Sequence, residues 1–450
     1  MHPEPDISQT TVGFISLGCA KNLVDSQIMA GRLIGSSIRL VPVEDADIIV
    51  VNTCSFIHDA REESMEAILS ACEQKKRGNC RAVLVAGCLP QRYADRISTT
   101  LPDVDAFIGI DQLDDIPSIV TRLAKGAHGI VDITPNAHRL FDPDIPVVFS
   151  TGAYAYLKIA EGCNHRCAFC AIPGIRGRHR SRTIDALIHE TATLLESGFR
   201  EINIISQDIT HYGRDLNDGT NLPRLLRELS SIEGSFRIRL LYAYPTGITD
   251  ELLEVMADSP KICSYLDIPI QHSHPEILKK MLRSSTIPYI ENMTSRIRAA
   301  MPDATIRTTC LVGFPGETDQ HFNHLLQFCA ENRFDNLGAF IYSPEENTPA
   351  WDMQNTPPEN IAQKRYDELM HQQQMIVAEK SAAQIGKTVE ILLEHDAGNG
   401  DWIGRTRSQA PDVDGITLVQ NLPPNTSPGT IISATITAAD NYDLTATLTK

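Results

Sequence analysis

Between residues 151 and 380, six short apolar runs alternate with segments of helical pattern, and nothing else in the chain restricts its fold as much. The runs are AYLKIA, EINIIS, RIRLLYA, YLDIPI, IRTTCLV and LGAFIYS; DALIHETATLLESG, NLPRLLRELSS and HFNHLLQFCAEN are among the helical segments between them. Strands apolar along their whole length are covered on both faces, and helices between them must cross back over the sheet. That pattern predicts parallel strands with right-handed crossovers, as an open six-stranded (β/α) barrel of TIM type. Residues 11–127 repeat the pattern with VGFISLGC, ADIIVVNTC and RAVLVAGC, predicting a separate N-terminal parallel α/β domain. A Pro- and Asp-containing stretch across 128–150 reads as a linker. A long polar helix leads out of the barrel, and 383–450 carries β-prone runs (KTVEILLE, GITLVQN, GTIISATITAA) that predict a small all-β barrel. The fold class is therefore α/β multidomain.

A chain of 450 residues with 42% hydrophobic content can bury several cores. Its start, MHPEPDISQT, lacks a basic region followed by an apolar run, and no apolar stretch reaches bilayer length, so a cytoplasmic protein with no membrane partner is expected. Eleven irregularly spaced cysteines are poor material for a disulfide framework and point to metal or redox chemistry where they cluster. A net charge of −17 argues against a surface built to grip phosphate backbones and suits a basic partner.

Each of the first three apolar runs ends in a cysteine: Cys19, Cys54 and Cys88, spaced by 35 and 34 positions. One βαβ unit per interval sets the three thiols side by side at the carboxyl edge of one sheet, where α/β proteins bind ligands. A lone cysteine there reads as a small buried hydrophobe. Three in equivalent positions read as a ligand set able to hold a 4Fe-4S cluster with one open iron. Cys72, Cys80, Cys263, Cys310 and Cys329 have no such partners and read as structural.

The loop after the first barrel strand, KIAEGCNHRCAFCAIPG, holds a second trio, Cys163, Cys167 and Cys170. Structural zinc takes four protein ligands, whereas a 4Fe-4S cube held by three thiolates leaves one iron free for another ligand. A zinc knuckle, a plain electron-transfer cluster and chance are the alternatives. With Phe169 the loop reads Cys-x3-Cys-x2-aromatic-Cys, which resembles the signature of radical S-adenosylmethionine (SAM) enzymes. In that superfamily SAM chelates the open iron and its reductive cleavage gives a 5′-deoxyadenosyl radical. TTCLVGFPGET resembles the Gly-rich strand end that lies against SAM, making Gly313, Gly316 and Glu317, with Phe169, candidate cofactor contacts. Taken alone, an ordinary strand-to-helix turn explains the motif as well.

Two three-cysteine sets followed by a small β domain resemble the methylthiotransferase family of radical SAM enzymes over nearly the whole chain. SLGCAKNLVDS, VNTCSFIHDAREESMEAI, ISQDITHYG, YLDIPIQH and GFPGET resemble its ribosomal-protein branch rather than the tRNA branch, whose first motif typically reads Gly-Cys-Gln-Met-Asn. Gln27 stands where that branch leads one to expect Glu. The resemblance implies methylthio transfer to the β-carbon of an aspartate in small-subunit ribosomal protein S-twelve. It implies a radical-generating 4Fe-4S cluster on Cys163, Cys167 and Cys170 and an auxiliary one on Cys19, Cys54 and Cys88. It also implies SAM in two roles, a TRAM domain at the C terminus and a partner in protein S-twelve or the small ribosomal subunit. A reductant such as flavodoxin or ferredoxin and a sulfur donor follow; no catalytic residue beyond the cluster ligands is identified. The competing readings are a tRNA adenosine methylthiotransferase and a noncatalytic iron-sulfur electron carrier. No coiled-coil heptad suggests a self-interface, so a monomer is expected.

Residues 383–450 carry four basic side chains (Lys387, Arg405, Arg407, Lys450) against eight acidic ones, a net of −4 that suits a basic protein better than RNA. A plain acidic surface is the alternative. The run IRGRHRSR, with Arg176, Arg178, Arg180 and Arg182, is compatible with RNA, a substrate carboxylate or structural acids. Asp208, His211 and Tyr212 are candidates to line a cavity or cap a strand end.

Overall fold

The structure, a computed structural model, describes residues 10–142, 147, 149 and 152–449. Its first sheet holds β1 (Thr11–Ser16), β2 (Arg39–Leu40), β3 (Ile48–Thr53), β4 (Ala82–Gly87), β5 (Ala106–Ile108) and β6 (Ile130–Asp132), in the order β2-β1-β3-β4-β5-β6. Every pairing is parallel. β3 and β4 are buried at every position because helices cover both faces. Ile48, Val50 and Leu84 pack with Val24, Ile28 and Leu33 of α1 (Ala20–Gly35). The alternate residues Ile49, Val51 and Val83 pack with Ile68 and Ala71 of α2 (His58–Lys76). The strand order reverses between β1 and β3, which opens a crevice at their carboxyl ends. β6 starts inside the stretch read as a linker, part of which lies outside the described residues; three residues are too few to carry a strand period.

The second sheet holds six strands that neighbour one another in chain order: β7 (Tyr154–Lys158), β8 (Glu201–Ile205), β9 (Arg237–Leu240), β10 (Ile262–Asp267), β11 (Thr305–Val312) and β12 (Asn336–Ile341). All pairings are parallel. All six runs singled out in the sequence fall on these strands. Their outer face packs against crossover helices through Leu187, Leu225, Leu253, Ile297 and Leu325. Their other face shares a core with the first unit, in which Tyr156, Ile205, Leu241 and Tyr265 join Val12, Ile28 and Leu84.

A closed five-stranded barrel completes the chain: β13 (Thr388–Gly398), β14 (Asp401–Thr406), β15 (Thr417–Gln420), β16 (Ile431–Asp440) and β17 (Asp443–Leu448), in the cyclic order β13-β14-β15-β17-β16. β15 and β17 pair in parallel and the other neighbours antiparallel. The barrel docks at the amino ends of β8 and β9, where Glu201 meets Arg405 (2.7 Å), Arg237 (2.7 Å) and Arg239 (3.2 Å). Among the described residues, no helix is long and apolar enough to cross a membrane.

Candidate functional site: two cysteine trios at facing strand ends

Cys19 follows β1 and caps the amino end of α1; Cys54 follows β3; Cys88 follows β4 and opens α3 (Cys88–Arg92). Because β1, β3 and β4 are neighbours, the three thiols share one carboxyl edge, as the spacing predicts. Gly18 makes the approach possible. At φ +87° a side chain there would be strained, and a Cβ would lie 2.6 Å from Cys54 Cβ. The thiols have different electrostatic surroundings. Burial alone would raise the Cys19 thiol, but Lys21, Arg176 and the N–H groups of Asn22 and Lys21 together lower it. Burial raises Cys54 and pushes Cys88 up to about 12 against the pull of Arg176.

The second trio lies in the loop beyond β7, at the carboxyl edge of the second sheet. His165 N–H donates to Cys163 Sγ at 3.4 Å, and Arg283 Nη1 donates to Cys167 Sγ at 3.5 Å. Burial pushes Cys163 up to about 12 and raises Cys170 further. All six cysteines are free. Cys19 is exposed, Cys54, Cys163, Cys167 and Cys170 are half-buried, and Cys88 is buried.

α4 (Ile172–Arg176) joins the two edges. It begins two residues after Cys170, and its Ile175 packs with Ala171, Ala137, Ile110 and Cys88. Arg176, at its end, is fully buried and reaches across to the first unit. Its Nη2 donates to Asn22 Oδ1 and Asp25 Oδ2, both at 2.9 Å, and to Cys88 Sγ at 3.4 Å; Nη1 donates to Glu161 at 2.9 Å. Lys158 bridges the same acids, 2.5 Å from Asp25 and 2.9 Å from Glu161. Two cations and two carboxylates thus form a neutral buried quartet that clamps α1 to β7. Burial would raise the Glu161 carboxyl, but Arg176 and Lys158 outweigh it and hold it far below the usual carboxylate range.

A tyrosine loop after β9 also spans the gap. Lys21 lies over the Tyr242 ring at 3.2 Å from its centroid, and Arg283 over the Tyr244 ring at 4.3 Å. His165 stacks on the Tyr244 ring at 3.7 Å and meets Asp208 at 2.7 Å.

Of the other residues singled out in the sequence, Phe169 packs beside Phe314, Leu311 and Tyr342. Gly313 (φ +74°) faces Ala362, and Gly316 (φ +79°) lies against Lys280 Nζ. Glu317 turns into its own loop: Arg365 donates to it at 3.0 Å and Phe314 N–H at 3.3 Å, while burial pushes its carboxyl up to about 7 against the pull of Arg365. Asp208 caps a short turn through Thr210 N–H, His211 approaches the rings of His165 and His179, and the buried Tyr212 donates to Arg182 O. The basic run is resolved as mainly structural. Arg176 and Arg182 pair with acids, Arg180 donates to backbone carbonyls, and Arg178 is exposed. Sequence reading missed Lys158, Glu161 and Arg283 because each owes its place to a partner more than a hundred positions away or to a loop crossing.

Among the described residues, no three His, Cys, Asp or Glu side chains converge on a single ion position. Corner ligands of a cube bind different irons, so three thiolates that hold one need not converge. Each trio otherwise fits such a group: thiols alone as donors, free of disulfides, with one buried arginine donating to one sulfur.

Three family models match in turn: "Uncharacterized protein family UPF0004" over residues 11–109, "Radical SAM superfamily" over 157–329 and "TRAM domain" over 385–449. The ribosomal protein uS12 methylthiotransferase RimO of Syntrophus aciditrophicus is 45% identical over 444 residues, covering 97% of this chain and 98% of that protein. RimO of Geobacter sulfurreducens is 43% identical over 438 residues, covering 96% and 97%. The chain belongs to the RimO family. RimO membership spans both cysteine trios and the terminal barrel, so one homology covers the whole arrangement. Among solved structures, the radical S-adenosylmethionine methyltransferase TsrM of Kitasatospora setae, described with cobalamin and a [4Fe-4S] cluster bound, aligns over 76% of each chain with TM-score 0.57 and 13% identity. That likeness establishes the radical SAM fold.

Proposed function

We propose that this protein transfers a methylthio group to the β-carbon of an aspartate in ribosomal protein uS12. The observation that carries the reading is the pair of cysteine trios on facing carboxyl edges, joined by α4 and the tyrosine loop. Cys163, Cys167 and Cys170 would hold the radical-generating 4Fe-4S cluster, and Cys19, Cys54 and Cys88 the auxiliary one. Bound clusters and SAM supply the reducing electron, the hydrogen-abstracting radical and the methylthio group.

The chain's own residues do the rest. Arg176 and Arg283 donate to thiolate sulfur and offset negative charge at each trio. The neutral quartet fixes the distance between the edges and excludes water from the seam. Phe169, Gly313 and Gly316 shape the wall beside the second trio as candidate SAM contacts, while Glu317 holds the Gly313–Gly316 turn closed. The second sheet is read as an open six-stranded (β/α) barrel of TIM type, a reading supported by its sequential parallel order and unpaired edges. The units are assigned as 11–127 with the auxiliary trio, 151–380 as the radical SAM core and 383–450 as the TRAM-like barrel, joined through 128–150. A cytoplasmic monomer working with a flavodoxin- or ferredoxin-type reductant and a sulfur donor completes the proposal.

The test is anaerobic iron and sulfide analysis of the reconstituted protein beside its Cys19→Ala, Cys54→Ala, Cys88→Ala triple variant. About eight irons against about four, with SAM cleavage retained in the variant, are expected. Four in each refutes a second cluster. Mass analysis of uS12 and tRNA from a deletion strain then decides the substrate: loss of a methylthio mass from tRNA alone overturns the uS12 assignment.

A further inference from the structure

Buried cations in this protein are matched by acids. Lys158, Arg176, Arg237, Arg239, Arg365 and Arg405 are each buried and each lie within 3.2 Å of a carboxylate. Lys21 departs from that pattern. It is only 8% exposed, yet no carboxylate among the described residues pairs with it. Its ammonium lies instead over the Tyr242 ring, 3.2 Å from the centroid. Asp267, behind the same tyrosine, receives the Tyr242 N–H at 3.1 Å and lies 4.0 Å from Arg307, making no ion pair with Lys21. Arg283, the other buried cation at the trios without a carboxylate, already donates to Cys167 Sγ and to Pro269 O.

The backbone favours this arrangement at a cost. Tyr242 adopts φ +66°, a conformation that strains an aromatic residue, and in it the ring lies beneath Lys21. Burial disfavours the Lys21 charge, while Cys19 and the Tyr242 side chain favour it; neither is a carboxylate, so an arriving carboxylate gains an ion pair there. Lys21 lies on the first turn of α1, two residues after the accessible Cys19, and reaches the loop after β9 of the second unit through Tyr242.

We propose that Lys21 receives the carboxylate of the target aspartate and thereby sets its β-carbon between the two trios. The proposal rests on the uS12 reading above and adds the residue that recognises the side chain. In an aspartate the β-carbon is bonded directly to the carboxylate carbon, so an anchor on the carboxylate positions the reacting carbon within one bond. Asparagine has the same shape and no charge, and would leave Lys21 without a carboxylate partner; discrimination between the two comes from this cation.

A double-mutant cycle tests it. Purified uS12 and its target Asp→Asn form are bound anaerobically to the reconstituted full-length protein and to its Lys21→Met variant, with affinity read by calorimetry. In the parent, Asp→Asn weakens binding by about tenfold or more, whereas in Lys21→Met the two forms bind within about twofold of each other. Lys21→Arg restores part of the preference. Iron content and substrate-independent SAM cleavage are measured on the same samples; should Lys21→Met lose iron, Lys21→Gln and Lys21→Arg carry the comparison. An equal Asn penalty in parent and variant overturns the proposal, since Lys21 would then serve only the Cys19 thiolate. If the parent adds no methylthio mass to uS12, the functional reading fails instead; normal modification with no coupling removes only the Lys21 assignment.

Discussion

Replacing Arg176 with Met should loosen the first unit from the second without unfolding either. The quartet of Asp25, Glu161, Lys158 and Arg176 is neutral; the variant leaves two carboxylates facing one lysine, a net charge of −1 in a site where all four side chains are buried. Breaking a buried ion pair from one side costs about 3–5 kcal/mol. The lost bonds to Asn22 and Cys88 add about 1 kcal/mol each at most. Hydrogen exchange followed by mass spectrometry reads this locally: α1 amides should open roughly 10² to 10⁵ times more often, while β13 and β16 amides stay unchanged. Adding Asp25→Asn returns the site to one cation and one carboxylate and should recover part of the loss. Acid titration supplies the sign. Glu161 is depressed in the folded state, so its contribution is present above the unfolded value of about 4.3 and is lost as pH falls below it. The acid sensitivity of α1 protection should shrink in Arg176→Met. A variant with less than about 1 kcal/mol of local loss, or one that loosens the terminal barrel equally, would refute the clamp.

Gly18→Ala places a Cβ against Cys54 in a strained left-handed conformation, so reconstituted iron should fall from about eight to about four while SAM cleavage persists; retention of all eight would show that the first trio tolerates the shift. Cys88 and Cys163 are both pushed up to about 12, so they are thiols in the metal-free protein at neutral pH and must lose protons on loading. Cluster assembly should therefore release protons, measurable with a dye in weak buffer, and proceed further at pH 8.5 than at 7.

Much of the fold was legible because burial on both faces writes continuous apolar runs: IIVVNT of β3 and AVLVAG of β4 are such strands, and the six runs of the second sheet each became one. β2, β5 and β6, at two or three residues, are too short to carry a period. β14 and β17 were passed over because the DWIGRT and DLTATL segments mix polar residues into a strand that closes a barrel. At the site, the cysteines announced themselves by spacing, which survives in sequence because each follows a strand. The acids that hold Arg176 did not: Asp25 lies 151 positions away and Glu161 pairs through a bent loop, so only the fold brings them together. Glu317, singled out as a candidate SAM contact, also holds its own loop through Phe314 N–H and Arg365, a role the sequence does not show.

The closing strand of the terminal barrel has a consequence for biosynthesis. β17, the last of the five barrel strands in chain order, lies between β15 and β16. The barrel therefore has an open seam until its fifth strand is made, after the residues of the first two units. Glu201 meets Arg237 and Arg239 within its own sheet first, and Arg405 joins it from β14, which is made later. Shortening the chain by a single strand would leave β15 and β16 as unpaired edges, turning a late-folding module into a site of aggregation.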